Sequence, residues 1–231
     1  MKAPYLALAL SVAAASPTLA ADAPLDVSGV TKVSVTGDAS RLSFTTHAGE
    51  PNLARLTSRP SGWPLRWLAS WFLEDCQTAS GMDISGSTLT IRVSPVSSTE
   101  FADCTVSVEA NLPPGGDIAI EQHATSASLQ GNFGAIVLKG TAADVDLSGH
   151  ATSVVSDADA MRMKIRFTSA GRDESISLTS KALDADLSFG GREVSYRIDA
   201  IASMVDTTLA NTPGAKPSID IKADFARTKI R

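Results

Sequence analysis

The chain is poor in the residues that usually announce chemistry: 231 positions hold two cysteines, three histidines and only 5% aromatic residues. Two thiols cannot staple a disulfide-rich scaffold. Together with three scattered histidines they also fall short of a zinc or transition-metal centre, which needs about four converging ligands. Twenty basic residues face 25 acidic ones, so the clustered cations that bind a phosphate backbone are missing and nucleic acid is not an expected partner. No phosphate-cradling loop, nucleotide fingerprint or nucleophile elbow occurs, and no cofactor is implied. Beyond the first 20 residues no run approaches the roughly 20 apolar residues of a membrane-spanning helix, so no transmembrane anchor is expected.

What is present begins with a targeting pattern. Lys2 precedes an apolar run from Tyr5 to Ala15, and Thr18-Leu19-Ala20 places small residues where a signal peptidase reads. Residues 1–20 are therefore expected to be a signal peptide, leaving 21–231 as one domain exported to the periplasm, the cell surface or the medium. In that oxidising setting Cys76 and Cys104 are expected to form one disulfide, worth about 3 kcal/mol in the chain-entropy model.

Strand signals dominate the mature region. Val33–Thr36, Leu42–Phe44, Leu89–Val93 and Thr105–Val108 alternate apolar with polar residues, the pattern of half-buried strands. From Ile118 the alternation becomes a repeat. Ile118/Ile120, Ala127/Leu129, Ile136/Leu138 and Val145/Leu147 follow one another at nine-residue steps, Val154 continues the first column, and Met163/Ile165 falls two steps beyond Val145/Leu147. Gly131, Gly140 and Gly149 keep the same step. After a slip near Gly171 the pattern resumes with Ile176/Leu178, Ala185/Leu187 and Val194/Tyr196, and Val205 extends it. So short a strand buries too little to stand alone, but stacked copies line their apolar residues into ladders and pair each backbone with the next. The expectation is an all-β parallel solenoid, or β-helix-like repeat. The alternative is an antiparallel β-sandwich, which also suits regular turn signals.

Leu112-Pro113-Pro114-Gly115-Gly116-Asp117 leads into Ile118–Ile120, and Ala143-Asp144-Val145-Asp146-Leu147-Ser148-Gly149 is echoed by Leu183-Asp184-Ala185-Asp186-Leu187-Ser188. In these motifs the chain resembles the bacterial putative-adhesin family, exported proteins with repeated short strands. The resemblance spans roughly residues 85–210 and lacks the regular serine-glycine-aspartate triplets of that family. It implies an adhesive surface role and brings no catalytic residues.

Residues 51–75 break the repeat and are expected as a helical insertion or cap. All three tryptophans lie there, within Ser61–Leu73. Helical spacing puts Trp67, Leu68 and Trp71 on one face with Pro64, flanked by Trp63 and Phe72 and with Leu65 nearby. Such a surface either covers an open end of the repeat or docks a partner, and a shallow membrane contact is a third reading.

Candidate chemistry is thin. His47 stands alone beside Glu50, while His123 and His150 are separated by three of the nine-residue steps. That spacing stacks the two at one corner of a three-faced coil, or sets them on opposite sides of a two-faced one. Asp144, Asp146, Asp157 and Asp159 form one acidic patch, and Asp184 with Asp186 another. Calcium binding and glycoside chemistry both begin from such carboxylates, but solvated strand faces account for them as well. The sequence thus points to a non-catalytic envelope module offering a rigid surface to a protein or glycan. A homo-oligomeric scaffold and a polysaccharide-active enzyme using Asp144/Asp146 or Asp184/Asp186 are the alternatives.

Overall fold

The computed structural model describes residues 23–61, 79–94, 103–168 and 173–231. They form one mostly parallel mixed sheet of ten strands: β1 (Leu25–Asp26), β2 (Lys32–Thr45), β3 (Leu53–Ser61), β4 (Gly81–Ser85), β5 (Thr88–Val93), β6 (Asp103–Asn111), β7 (Asp117–Phe167), β8 (Ser175–Ser188), β9 (Ser195–Thr207) and β10 (Ser218–Ile230). The order is β1-β3-β6-β2-β7-β8-β10-β9, with β5 beside β2 and β4 beside β5. No helix occurs among the described residues.

Parallel pairing joins β2 to β5, β6 and β7, then β7 to β8, β8 to β10 and β10 to β9. Among the described strands only β1–β3, β3–β6 and β4–β5 are antiparallel, which rules out the antiparallel sandwich. The first part of the segment expected as a helical insertion is strand β3, paired with β6 from Ala54–Ala110 to Ser61–Asp103. Leu56 is buried there against the neighbouring apolar column, and that burial wins over any local helical preference. Trp63, Leu65, Trp67, Leu68, Trp71, Phe72 and Cys76 lie outside the described residues.

A straight 51-residue strand would reach about 170 Å, so β7 must bend. Its glycines show how. Gly134 N–H donates to the Gly116 carbonyl at 2.9 Å, and Gly149 packs directly on Gly131. Both contacts join positions two nine-residue steps apart. Each tier of the stack therefore has two short segments joined by a bend. At that bend the ladder register passes over Asp38 and His123, then Asp159 and Lys181, then Asp224 and Ile201.

Gly131 and Gly149 have φ of 126° and 130°, and a Cβ on Gly149 would run into the Gly131 carbonyl. Only glycine satisfies both demands. Gly140 has ordinary φ but sits against the Gln122 carbonyl, so glycine is needed there for closeness alone.

The repeat read from sequence is the core. Ile118, Ile120, Leu129, Leu138, Leu147, Ile165, Leu178 and Leu187 are all at most 2% exposed, and Phe44, Phe133 and Phe189 fill the ends of the tiers. The slip near Gly171 appears as a change of step, because Ser153 pairs with Ser175, further along the chain than two nine-residue steps would reach. One part of the column differs from expectation. Ile176 and Leu178 continue through Ile219 and Ile221 of β10 to Tyr196 and Ile198 of β9, so the pair after Leu178 is not Val194/Tyr196. Val194 is buried outside the strand, in a bridge to Asn211. The C-terminal β10 inserts between β8 and β9, an order that a chain read from end to end does not disclose.

Candidate functional site

Just past each bend stands a small residue: Ala39, Ala124, Ala142, Ala160, Ala182 and Ala202 in six tiers, and Phe225 in the β10 tier. Alanine here leaves a trough, walled by Arg41, Ser126, Asp144, Arg162, Asp184, Arg227 and Met204. The bend row, with Asp159, Lys181 and Asp224, comes one residue before the small residues of each tier. The trough has a volume of about 1040 Å³. Seven tiers at strand spacing make it about 29 Å long. Its inner side is closed by the next residue of each tier, including buried Ala143, Met161, Leu183 and Ala226.

The walls show what the acidic pairs do. Arg162 is in register with Asp184, and Asp184 with Arg227. One row further along, Lys164 matches Asp186 and Asp186 matches Lys229. Asp146 lies 3.1 Å from Arg166 and 3.8 Å from Lys164, and Asp186 lies 2.8 Å from Arg231. Carboxylates and cations thus alternate from tier to tier, so a base stands between Asp144 and Asp184 and another between Asp146 and Asp186. Opposite charges in adjacent rungs stabilise a ladder by a few tenths of a kcal/mol each. At the bend, Asp159 meets the Lys181 ammonium at 2.8 Å. That hydrogen bond, with the charges of Asp159 and Asp224, holds the lysine pKa above its ordinary value.

The three histidines separate. His47 is exposed in a turn held by Asn111, whose side chain accepts from the His47 N–H at 2.8 Å and donates to the carbonyls of His47 and Glu50. His123 stands at the bend near Lys139 and Gly140. His150 directly follows Gly149. Its Nδ1 is 2.9 Å from Glu174 Oε1, though off the hydrogen-bonding direction, and its ring leans on Phe167 with centroids 5.8 Å apart. Arg192 Nη1 donates to Glu174 Oε2 at 2.9 Å, and Glu174 is only 1% exposed. This buried knot ties three consecutive turns. Nothing in the sequence marked Glu174 as its centre, since a carboxylate beside a strand reads as solvated until the turns converge.

Among the described residues no three His, Cys, Asp or Glu side chains converge as metal ligands. The backbone of Cys104 lies in β6 opposite Pro60, while its expected partner Cys76 is outside the described residues. No helix among the described residues is long and apolar enough to cross a membrane.

No protein-family model matches the chain, and no curated protein matches it. Among solved structures it is similar to a protein of Clostridium sporogenes ATCC 15579 described as a putative cell adhesion protein, at 9% identity and a TM-score of 0.42, over 88% of this chain and 92% of that one.

Proposed function

We propose that the chain is a non-catalytic module of the bacterial envelope, a two-faced parallel β-solenoid that presents its trough to a protein partner in an adhesin-like role. The solenoid reading is supported by the two-step contacts within β7 and by the parallel registers on either side of it. Export is supported by the pattern of residues 1–20.

The observation that carries the function is the trough: an open apolar channel with an alanine floor, running the length of a stiff stack. A glycan site takes sugar rings on aromatic platforms, and among the described residues Phe225 is the one aromatic in the lining. Methyl groups flanked by alternating charges suit the side chains of a protein surface better. Glycoside hydrolysis needs two carboxyls facing one bond with one of them kept protonated. Arg162 and Lys164 stand in register with Asp184 and Asp186, and Lys164 and Arg166 lie close to Asp146, so these carboxylates serve the charge ladder, which speaks against the enzyme reading.

The test is in-cell photo-crosslinking from positions 142 and 182, with position 139 on the other segment of the tier as control. Discrete protein adducts from the trough positions, lost on Ala160→Glu, support the reading. Adducts equally strong from position 139, or turnover of envelope polysaccharide by the purified chain, overturn it.

A further inference from the structure

The wall of the trough carries a sequence of charges that is complementary to itself when reversed. From the β2 tier to the β9 tier the wall reads Arg41, Ser126, Asp144, Arg162, Asp184, Arg227, Met204. A twofold axis lying across the stack, in the plane of the interface, brings each row against its own copy in the opposite order. With the axis between Arg162 and Asp184, Asp144 faces Arg227 of the second copy and Arg162 faces Asp184. The operation repeats both, giving four opposite-charge contacts. On the bend row the same axis sets Asp159 against Lys181. A slip of one tier in either direction sets Arg against Arg and Asp against Asp, and a slip of two keeps only two opposite-charge contacts, so the pattern favours this register over its neighbours.

The apolar residues fall into the same arrangement. Phe225 is 63% exposed and stands where the other tiers have alanine. In the register fixed by the charges it meets Ala142 of the second copy, so each chain fills the other's trough with one phenyl ring. Met204 and Ile201, 68% and 83% exposed at the β9 end, come over Ser126 and His123 of the second copy. An exposed aromatic knob beside an apolar groove is the usual anchor of a protein interface.

We infer that the trough is the docking site for a second copy of this chain, the two stacks lying antiparallel and corner to corner. The inference rests on the reading of the trough as a protein-binding face and names the partner. A twofold contact of this kind closes on itself, so it yields dimers and not filaments.

Sedimentation equilibrium of the purified chain tests it. A reversible monomer–dimer equilibrium that weakens with salt is expected. Asp144→Arg sets two pairs of guanidinium groups opposite each other, and Arg227→Asp sets two pairs of carboxylates. Each variant alone is expected to raise the dimer dissociation constant about tenfold. An equimolar mixture restores opposite charges at both contacts, so it is expected to form heterodimers at close to the original affinity. Circular dichroism of each variant separates weakened pairing from misfolding. Phe225→Ala, on an exposed side chain, weakens the dimer without touching the core.

A chain that stays monomeric at all concentrations overturns the inference, as does indefinite growth with concentration, which marks end-to-end stacking. Two single variants that dimerise like the original also overturn it. If the chain is monomeric yet positions 142 and 182 still crosslink a different protein in cells, the trough remains a binding face and only the self-docking falls. If those positions crosslink nothing, both fall.

Discussion

The interior tier β8 and the terminal tier β9 carry the same kind of inward column and treat it differently. Ile176 and Leu178 of β8 are buried at 1% and 0%, whereas Tyr196 and Ile198, two rungs along the same columns, are only partly covered. Beyond the bend the contrast is sharper, since Thr228 of β10 is buried and its β9 partner Val205 is 41% exposed. Residue type does not explain this. What differs is the neighbour: β8 has β7 on one side and β10 on the other, and β9 ends the order. Burial in such a stack belongs to the pair of adjoining tiers, so stability is expected to be a sum of nearest-neighbour terms that halve at an end.

Glycine substitution should give the largest version of this difference. Gly149→Ala forces a Cβ into the Gly131 carbonyl at a φ that only glycine tolerates, and we expect a loss of about 4 kcal/mol. Gly214→Ala, in the loop from β9 to β10, has φ of 83° but open space around it, and a loss of about 1 kcal/mol is expected. Chemical denaturation of the two variants measures the gap, and equal losses would show that the tier contact is softer than its geometry implies. Next in size is side-chain truncation. Leu178→Ala should cost about 3 kcal/mol. Ile198→Ala should cost about 1 kcal/mol, because half of its surroundings is already solvent.

How much of this was legible in the sequence follows from the same physics. Ile118/Ile120 through Met163/Ile165 could be read because the apolar pairs recur at a constant step that matches the contacts within β7, so the long-range contact is written into the local period, and Ile176/Leu178 and Ala185/Leu187 resume it after the slip. Tyr196/Ile198 could not, because their neighbour is β10, reached through a loop whose length carries no periodic signal. The alanine floor was invisible for a different reason. An alanine next to a bend contributes little to a hydrophobic pattern, and its meaning comes from the larger residues that wall the trough in three dimensions. The acidic pairs were visible as residues but not as a ladder. Asp184 acquires its role from Arg162 and Arg227, which precede and follow it at unequal distances along the chain and meet it only across the sheet. The reading of residues 62–75 as a helical cap stays an expectation.

The knot of His150, Glu174 and Arg192 sharpens the comparison at the turns. It joins the turns of three consecutive tiers around a carboxylate that is 1% exposed, and the β9 end relies instead on Asn211. That side chain accepts from the Tyr196 N–H at 3.0 Å and donates to the Tyr196 carbonyl at 2.9 Å, in an exposed setting. Arg192→Leu removes a charged partner from a buried carboxylate and should cost about 3 kcal/mol, offset in part by the packing of the new side chain. Asn211→Ala removes two bonds that water can replace, and about 1 kcal/mol is expected. Amide exchange tells the two apart by place as well as size. Loss of Arg192 should speed exchange across β7 and β8, where the tied turns sit. Loss of Asn211 should speed it in β9 alone. If Asn211→Ala loosened β8 as much as β9, the tiers would be opening together, and the nearest-neighbour account of this stack would have to give way to a single cooperative unit.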